Sequence, residues 1–220
     1  MNALAFDTAT AVCPVALRRA DGELFEACPP ASRLLERPQH TTELLPTILS
    51  VCGLAGVGLG EIERIAVGVG PGAFTGLRIG VATARAIATA NGIDLIPVSS
   101  LAALGSGGTT PLLDARRNEL YYRIDGEDRL DSPEVAVRQI AEVGGAVVGD
   151  GAVKLRAQLE AAGLTVPADD DPSHVVAAAA ILDLAEGAEP QSPDAVVPNY
   201  IRPPDAKVSS RESWMVGGAK

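Results

Sequence analysis

Three short stretches of this 220-residue chain carry residue types that could do chemistry. Asp7-Thr8-Ala9-Thr10 sets a carboxylate and two hydroxyls directly after the apolar run from Ala3 to Phe6, at the end of a strand. An acid and hydroxyls so placed can hold a metal-bound nucleotide phosphate. Close approach of phosphate to backbone favours glycine, however, and position 9 carries a methyl group with poor access to positive φ. Asp7, with Thr8 and Thr10, therefore reads either as a degenerate phosphate loop or as a strand-end cap. The second stretch, Gly68-Val69-Gly70-Pro71-Gly72-Ala73-Phe74-Thr75-Gly76, joins a strand to a helix, where backbone N–H groups can bind an anion. It is no Walker A loop, because no Lys precedes a Ser or Thr after the last glycine. It matches GxGxxA but contains Pro71, and Asp94 precedes the next strand instead of ending it, which argues against dinucleotide binding. A tight turn that delivers a helix onto the sheet remains the competing reading. The third feature is the pair of histidines, His40 and His174, which belong to no HExxH or other paired spacing, so no metal site is expected. His40 precedes a helix and suits a cap or surface role, and His174 adjoins the acidic run Asp169-Asp170-Asp171. No Ser has a GxSxG setting, and no catalytic residue is expected.

The elements that must position these residues follow from periodicity. Ala3 to Phe6, Val12 to Arg18 and Glu23 to Ala27 read as three antiparallel strands, with a turn at Ala20-Asp21-Gly22. Leu45, Ile48, Leu49 and Cys52 share one face of a helix from Thr42 to Ala55 that contains Pro46. A buried strand, Ile65 to Val69, leads through the glycine loop to a helix from about Thr75 to Ala90, closed by Asn91-Gly92 and followed by a strand from Leu95 to Val98. The order βββ-α-β-α-β reads as a ribonuclease H-like unit. In the second helix Gly76, Gly80, Ala84 and Ala88 recur every four residues. Glycine inside a helix costs roughly 1 kcal/mol against alanine, so a close packing contact is expected, either with the first helix or with another protein.

The polar stretch from Gly105 to Thr110 reads as a boundary between a first lobe, 1–104, and a smaller α/β lobe, 105–220. In the second lobe Leu112 to Arg116 and Glu119 to Ile124 flank Arg117-Asn118 as a hairpin. Pro133 to Val143 and Val153 to Ala162 read as helices, Ala146 to Gly149 as a strand, and Ser209 to Lys220 is expected to fray. The formal charge of −10 argues against a protein that grips nucleic acid alone. The three cysteines lack CxxC spacing, and the N-terminus lacks a basic region ahead of an apolar one, so a reducing cytoplasm is the expected setting. No apolar run is long enough to span a membrane.

Gly70-Pro71-Gly72-Ala73-Phe74-Thr75-Gly76-Leu77-Arg78-Ile79-Gly80 closely resembles the GPGSFTGLRIG signature of the bacterial TsaB (YeaZ) family, with Ala73 where the family usually has Ser. Five further blocks carry the resemblance along nearly the whole chain: Phe6 to Thr10, Gln39 to Pro46, Ile96 to Leu101, Leu113 to Arg116 and Pro198 to Arg202. The resemblance implies a two-lobed actin/Hsp70/sugar-kinase-like α/β fold whose own catalysis has been lost. It implies a scaffold for the related enzyme TsaD, with the ATPase TsaE joining, in forming N6-threonylcarbamoyladenosine at adenosine 37 of tRNAs that read ANN codons. TsaD carries a histidine pair after the strand equivalent to Leu95 to Val98, where this chain reads Ser99-Ser100-Leu101-Ala102-Ala103-Leu104. The family's partner surface lies on the two first-lobe helices, which assigns it His40, Leu45, Leu49, Gly76, Leu77, Gly80, Val81 and Ala84. The same face is expected to serve a homodimer, tRNA to be held through the complex, and Asp7 to lie in the cleft between lobes. No cofactor beyond weak nucleotide binding is expected. A nucleotide-dependent phosphotransferase of the same fold is the alternative.

Overall fold

A computed structural model describes residues 1–201. Arg202 and the stretch from Ser209 to Lys220 lie outside the described residues. A five-stranded sheet has the order β3-β2-β1-β4-β5, built from β1 (Ala3–Phe6), β2 (Val15–Arg18), β3 (Leu24–Ala27), β4 (Arg64–Gly68) and β5 (Leu95–Val98). The first three strands are antiparallel, and β4 and β5 join parallel to β1. The crossovers that parallel pairing requires are α1 (His40–Ala55) and α2 (Phe74–Asn91). Gly56 and Gly92 close the two helices in the left-handed region, at φ 66° in both cases, as the Asn91-Gly92 signal predicts for α2.

Alternation along the strands divides the core. Leu4, Phe6, Val15, Leu17, Ile65 and Val67 face Leu44, Ile48, Val51 and Cys52 of α1 and Val81, Ala84, Ile87 and Ala88 of α2. The other face carries Ala3, Ala5, Ala16 and Ala66, so little side chain stands off the sheet there. A second, Ala-rich helix can therefore lie close. It comes from late in the chain: α7 (Ala178–Ala185) packs across β1, β2, β4 and β5, alongside α3 (Ser100–Leu104). The boundary at 104/105 thus separates the sheets, but the chain after it returns to the first sheet. Residue 191 then closes the β5 edge, exchanging Gln191 N–H to Leu95 O at 2.7 Å and Leu95 N–H to Gln191 O at 2.8 Å.

The second sheet has the order β8-β7-β6-β9, from β6 (Thr110–Asp114), β7 (Leu120–Ile124), β8 (Glu127–Asp131) and β9 (Val147–Val148). The hairpin at Arg117-Asn118 forms as read. β8 is a strand that the sequence reading did not anticipate, because Glu127-Asp128-Arg129-Leu130-Asp131 lacks apolar alternation. Its signal was the Asp125-Gly126 turn, with φ of 53° and 79°, which suits a two-residue hairpin. α4 (Pro133–Val143) matches its expected bounds. The single helix expected from Val153 to Ala162 is instead α5 (Asp150–Lys154) and α6 (Arg156–Ala161), broken at Leu155, whose φ of −105° leaves the helical region. Among the described residues no helix is long and apolar enough to cross a membrane.

Candidate functional site

Asp7 leaves the end of β1 pointing into the lobe, where it is fully buried. Its carboxylate accepts the Ala9 N–H at 2.7 Å and the Ser100 hydroxyl, and Ser100 Oγ accepts the Gly70 N–H at 3.0 Å. A Cβ at Gly68 would stand 1.8 Å from Asp7 Oδ2, so the glycine at the end of β4 makes room for the acid. The arrangement ties together the ends of β1, β4 and β5. Burial pushes the Asp7 carboxyl above its ordinary value, against the hydrogen bonds from Ser100 and Ala9. Asp7 and Thr8 do not line the cleft, which corrects the expectation that Asp7 lies in it, and of the expected phosphate-loop residues only Thr10 reaches it.

The cleft itself, about 750 Å³, opens between the two sheets' loop ends. One wall is the start of α2, Gly72 to Gly76. The floor is Thr10 and His40, and the far wall is the β6–β7 hairpin with Asp114, Arg116 and Arg117, beside Asp150. Chain from Asn199 to Tyr200 completes the mouth, where the Tyr200 ring lies 5.3 Å from that of Phe74 and Arg78 Nε donates to Tyr200 Oη at 3.1 Å. His40 is 4% exposed, and its Nε2–H donates to Thr10 O at 2.8 Å, which makes Nδ1 the lone-pair nitrogen. Burial lowers its pKa, against the Thr10 carbonyl and the Glu43 carboxylate, which act to raise it. His174, by contrast, does not line the cleft: it is fully buried and accepts the Gly149 N–H at 3.0 Å through Nδ1.

On the far wall Asp150 Oδ1 accepts the Asp114 N–H at 2.9 Å, and Asp114 pairs with Lys154 and Arg116. Burial raises the Asp150 carboxyl to about 6, more than the Asp114 N–H and Lys154 can offset. The folded chain therefore favours protonated Asp150: its contribution is full below 3.8 and is lost as pH rises through about 6. Asp150→Asn is expected to be as stable as the parent at pH 4 and more stable at pH 7, by on the order of 1 to 3 kcal/mol. Urea midpoints at the two pH values check this. An equal difference at both would mean that ionisation of Asp150 is not linked to folding.

The residues expected on a partner surface divide sharply. Leu45 and Leu49 are exposed, at 47% and 49%. His40, Gly76, Leu77, Gly80, Val81 and Ala84 are buried in the chain's own interior, which corrects the expectation that the small-residue stripe is a surface. Its contact is internal. A Cβ at Gly76 would stand 2.1 Å from the Thr8 carbonyl oxygen, and one at Gly80 would stand 2.2 Å from Thr8 Oγ1, so the stripe seats α2 on the loop after β1. The stripe that does face outward is Ala82, Ala86 and Ala90, also spaced by four, which the sequence reading passed over. α1 and α2 pack side by side on one sheet face, and Leu45, Pro46 and Leu49 of α1 and Ala82 and Ala86 of α2 are exposed.

Comparison with known proteins places this architecture. A family model described as TsaD, tRNA N6-adenosine threonylcarbamoyltransferase, matches residues 35–207. The uncharacterized protein Rv3421c of Mycobacterium tuberculosis is 35% identical over 213 residues, covering 93% of each chain. The tRNA threonylcarbamoyladenosine biosynthesis protein TsaB of Escherichia coli is 38% identical over 133 residues, 56% of this chain and 54% of the relative. The chain likewise spans about half, 55%, of the uncharacterized protein ML0378 of Mycobacterium leprae, to which it is 34% identical. Among solved structures, YeaZ from Pseudomonas aeruginosa superposes with a TM-score of 0.71 at 28% identity, covering 91% of this chain and 99% of that one. A family-model match over most of the chain, relatives that carry the TsaB name and a shared mixed α/β fold of two sheets agree with the six sequence blocks: this chain belongs to the TsaB/YeaZ family.

Proposed function

We propose that this chain is a non-catalytic subunit that binds and activates TsaD in forming N6-threonylcarbamoyladenosine at adenosine 37 of tRNAs reading ANN codons. The observation that carries the reading is that the packed helices α1 and α2 leave apolar and small residues exposed, Leu45 and Leu49 on α1 and Ala82 and Ala86 on α2. Leucines flanked by small residues let another helix pair approach closely, and closely packed apolar residues carry most of an interface's energy. The 3-2-1-4-5 strand order supports the ribonuclease H-like lobe of an actin/Hsp70/sugar-kinase-like fold, with the second lobe reduced. Within such a fold Asp7 would be the metal-nucleotide acid. Here Ser100 and Ala9 occupy it and it is buried, which favours the scaffold over a phosphotransferase. TsaE and tRNA are engaged through the complex, the same face accommodates a second copy when TsaD is absent, and the setting is the cytoplasm.

Mixing the chain with TsaD from the same organism and measuring the mass of the product tests this reading. A stable complex is expected, with TsaD, TsaE, ATP and precursor modifying tRNA only when the chain is added. TsaD fully active alone, or no complex at micromolar concentration, would overturn it.

A further inference from the structure

Among the described residues, four glycines lie inside α-helices: Gly53, Gly76, Gly80 and Gly151. Three of them have a reason within the chain. A Cβ would stand 2.1 Å from Thr8 O at Gly76, 2.2 Å from Thr8 Oγ1 at Gly80 and 2.9 Å from Leu112 O at Gly151. Gly53 has no such reason. A Cβ there meets nothing within 4 Å, and the left-handed residue that stops α1 is Gly56, at φ 66°. Glycine weakens a helix relative to alanine, so at an open position its use lies outside the chain.

A second observation concerns the surface around it. Pro46, Leu49, Ser50 and Gly53 stand at i, i+3, i+4 and i+7, the spacing of four residues that frame a hole for a side chain of a facing helix. All four are exposed. Leu45 and Leu54 flank them at 47% and 68% exposed, and Leu54 is the most exposed large hydrophobic residue among those described. In a chain that is 21% charged, the run from Leu44 to Ala55 holds no charged side chain. The helix thus shows an uncharged face of leucines with a notch at the one position that lacks a side chain.

We infer that Pro46, Leu49, Ser50 and Gly53 form a hole that receives a large apolar side chain from a helix of TsaD, with Gly53 giving the hole its depth. The inference rests on the proposed function and names how that surface recognises its partner. A face without cations has nothing to meet phosphate, which excludes nucleic acid here, and a face without charge of either sign suits an apolar side chain. TsaD has a helix to set against it, since the TsaD family model matches residues 35–207, a span that includes all of α1 and α2. Interaxial distance between packed helices depends on the side chains at the contact, so a methyl or isobutyl group at position 53 holds the partner off.

The test sets stability and affinity against each other in the full chain, by thermal unfolding and by calorimetric titration with TsaD. Gly53→Ala is expected to raise the melting temperature by about 3 °C and to weaken TsaD binding about fivefold. Gly53→Leu fills the hole and is expected to weaken binding about 50-fold while melting no lower than the parent. The control is Gly187→Ala, at an equally open glycine that follows α7 on the other face of the sheet, and its affinity is expected to stay at the parent's. Gly53→Leu binding TsaD within twofold of the parent would overturn the inference and leave the proposed function standing, whereas a parent chain that does not bind TsaD would overturn both. A lower melting temperature for Gly53→Ala would give the glycine a role within the chain and overturn the inference. So would equal weakening by Gly187→Ala, or loss of self-association by Gly53→Leu with TsaD binding undiminished, which would assign the hole to a second copy.

Discussion

A chain carrying Leu45→Asp and Leu49→Asp together is expected to melt where the parent does and to bind TsaD at least 100-fold more weakly. The two leucines lie one turn apart on the outer side of α1, 47% and 49% exposed, while Leu44 and Ile48 on the inner side do the packing. Aspartate at exposed positions of a long helix changes folding little. In a dry interface the same carboxylates are stripped of water with no cation arranged to meet them, at several kcal/mol for each unpaired charge. Since 1.4 kcal/mol is tenfold in affinity, two such groups exceed 100-fold comfortably. Calorimetric titration with TsaD, alongside thermal unfolding of the free variant, reads both quantities. Undiminished binding would move the partner surface off this helix pair, and an early melt would mean that the leucines belong to the core.

The second large effect falls on folding alone. Gly76→Ala is expected to cost about 3 kcal/mol, the upper end of overpacking, and to lower the melting temperature by on the order of 10 °C. The added methyl would stand 2.1 Å from the Thr8 carbonyl oxygen and 3.1 Å from the His40 ring, and a backbone oxygen cannot rotate away. At Gly80 the obstacle is Thr8 Oγ1 at 2.2 Å, a side chain that can turn, so Gly80→Ala is expected to cost less. Gly53→Ala is the control. It lies inside α1 with nothing within 4 Å of a built Cβ, so it is expected to stabilise by about 1 kcal/mol. If Gly76→Ala melts like the parent, α2 is not seated on the loop after β1 as described.

Much of the first lobe is legible because its signals are local. Alternation fixes β1, Gly56 and Gly92 stop α1 and α2, and the run Ile65 to Val67 can only be a buried strand. The small-residue stripe is legible as a close contact, but its partner is not, because the partner is a single residue, Thr8, through its carbonyl and hydroxyl, brought in by β1 from about 70 residues away. Nothing in the local pattern says which of two stripes spaced by four on α2, Gly76-Gly80-Ala84 or Ala82-Ala86-Ala90, faces inward. Sheet packing decides that. The candidate site was legible as motif, in the glycine loop and in Leu113 to Arg116, but the meeting of α2's first turn, His40 and the hairpin tip depends on two sheets and a returning chain end. α7 escaped for the same reason: its Ala-rich pattern marks no face until the alanine face of the first sheet is known.

The return of α7 sets when this protein can fold during its own synthesis. Ala3, Ala5, Ala16 and Ala66 emerge early, yet the helix that lies over them is Ala178–Ala185, and the chain that closes the β5 edge comes later still, at Gln191. A nascent chain stopped near residue 104 would have its α1–α2 side formed and the opposite side of the sheet only partly covered by α3. Contacts of such long sequence separation are slow to form, and a sheet left bare on one side is prone to stick to its neighbours. The first lobe is therefore a product of the whole polypeptide: ribosome-bound chains are expected to gain protease resistance in that lobe only once about 200 residues, and the further length held in the exit tunnel, have been made.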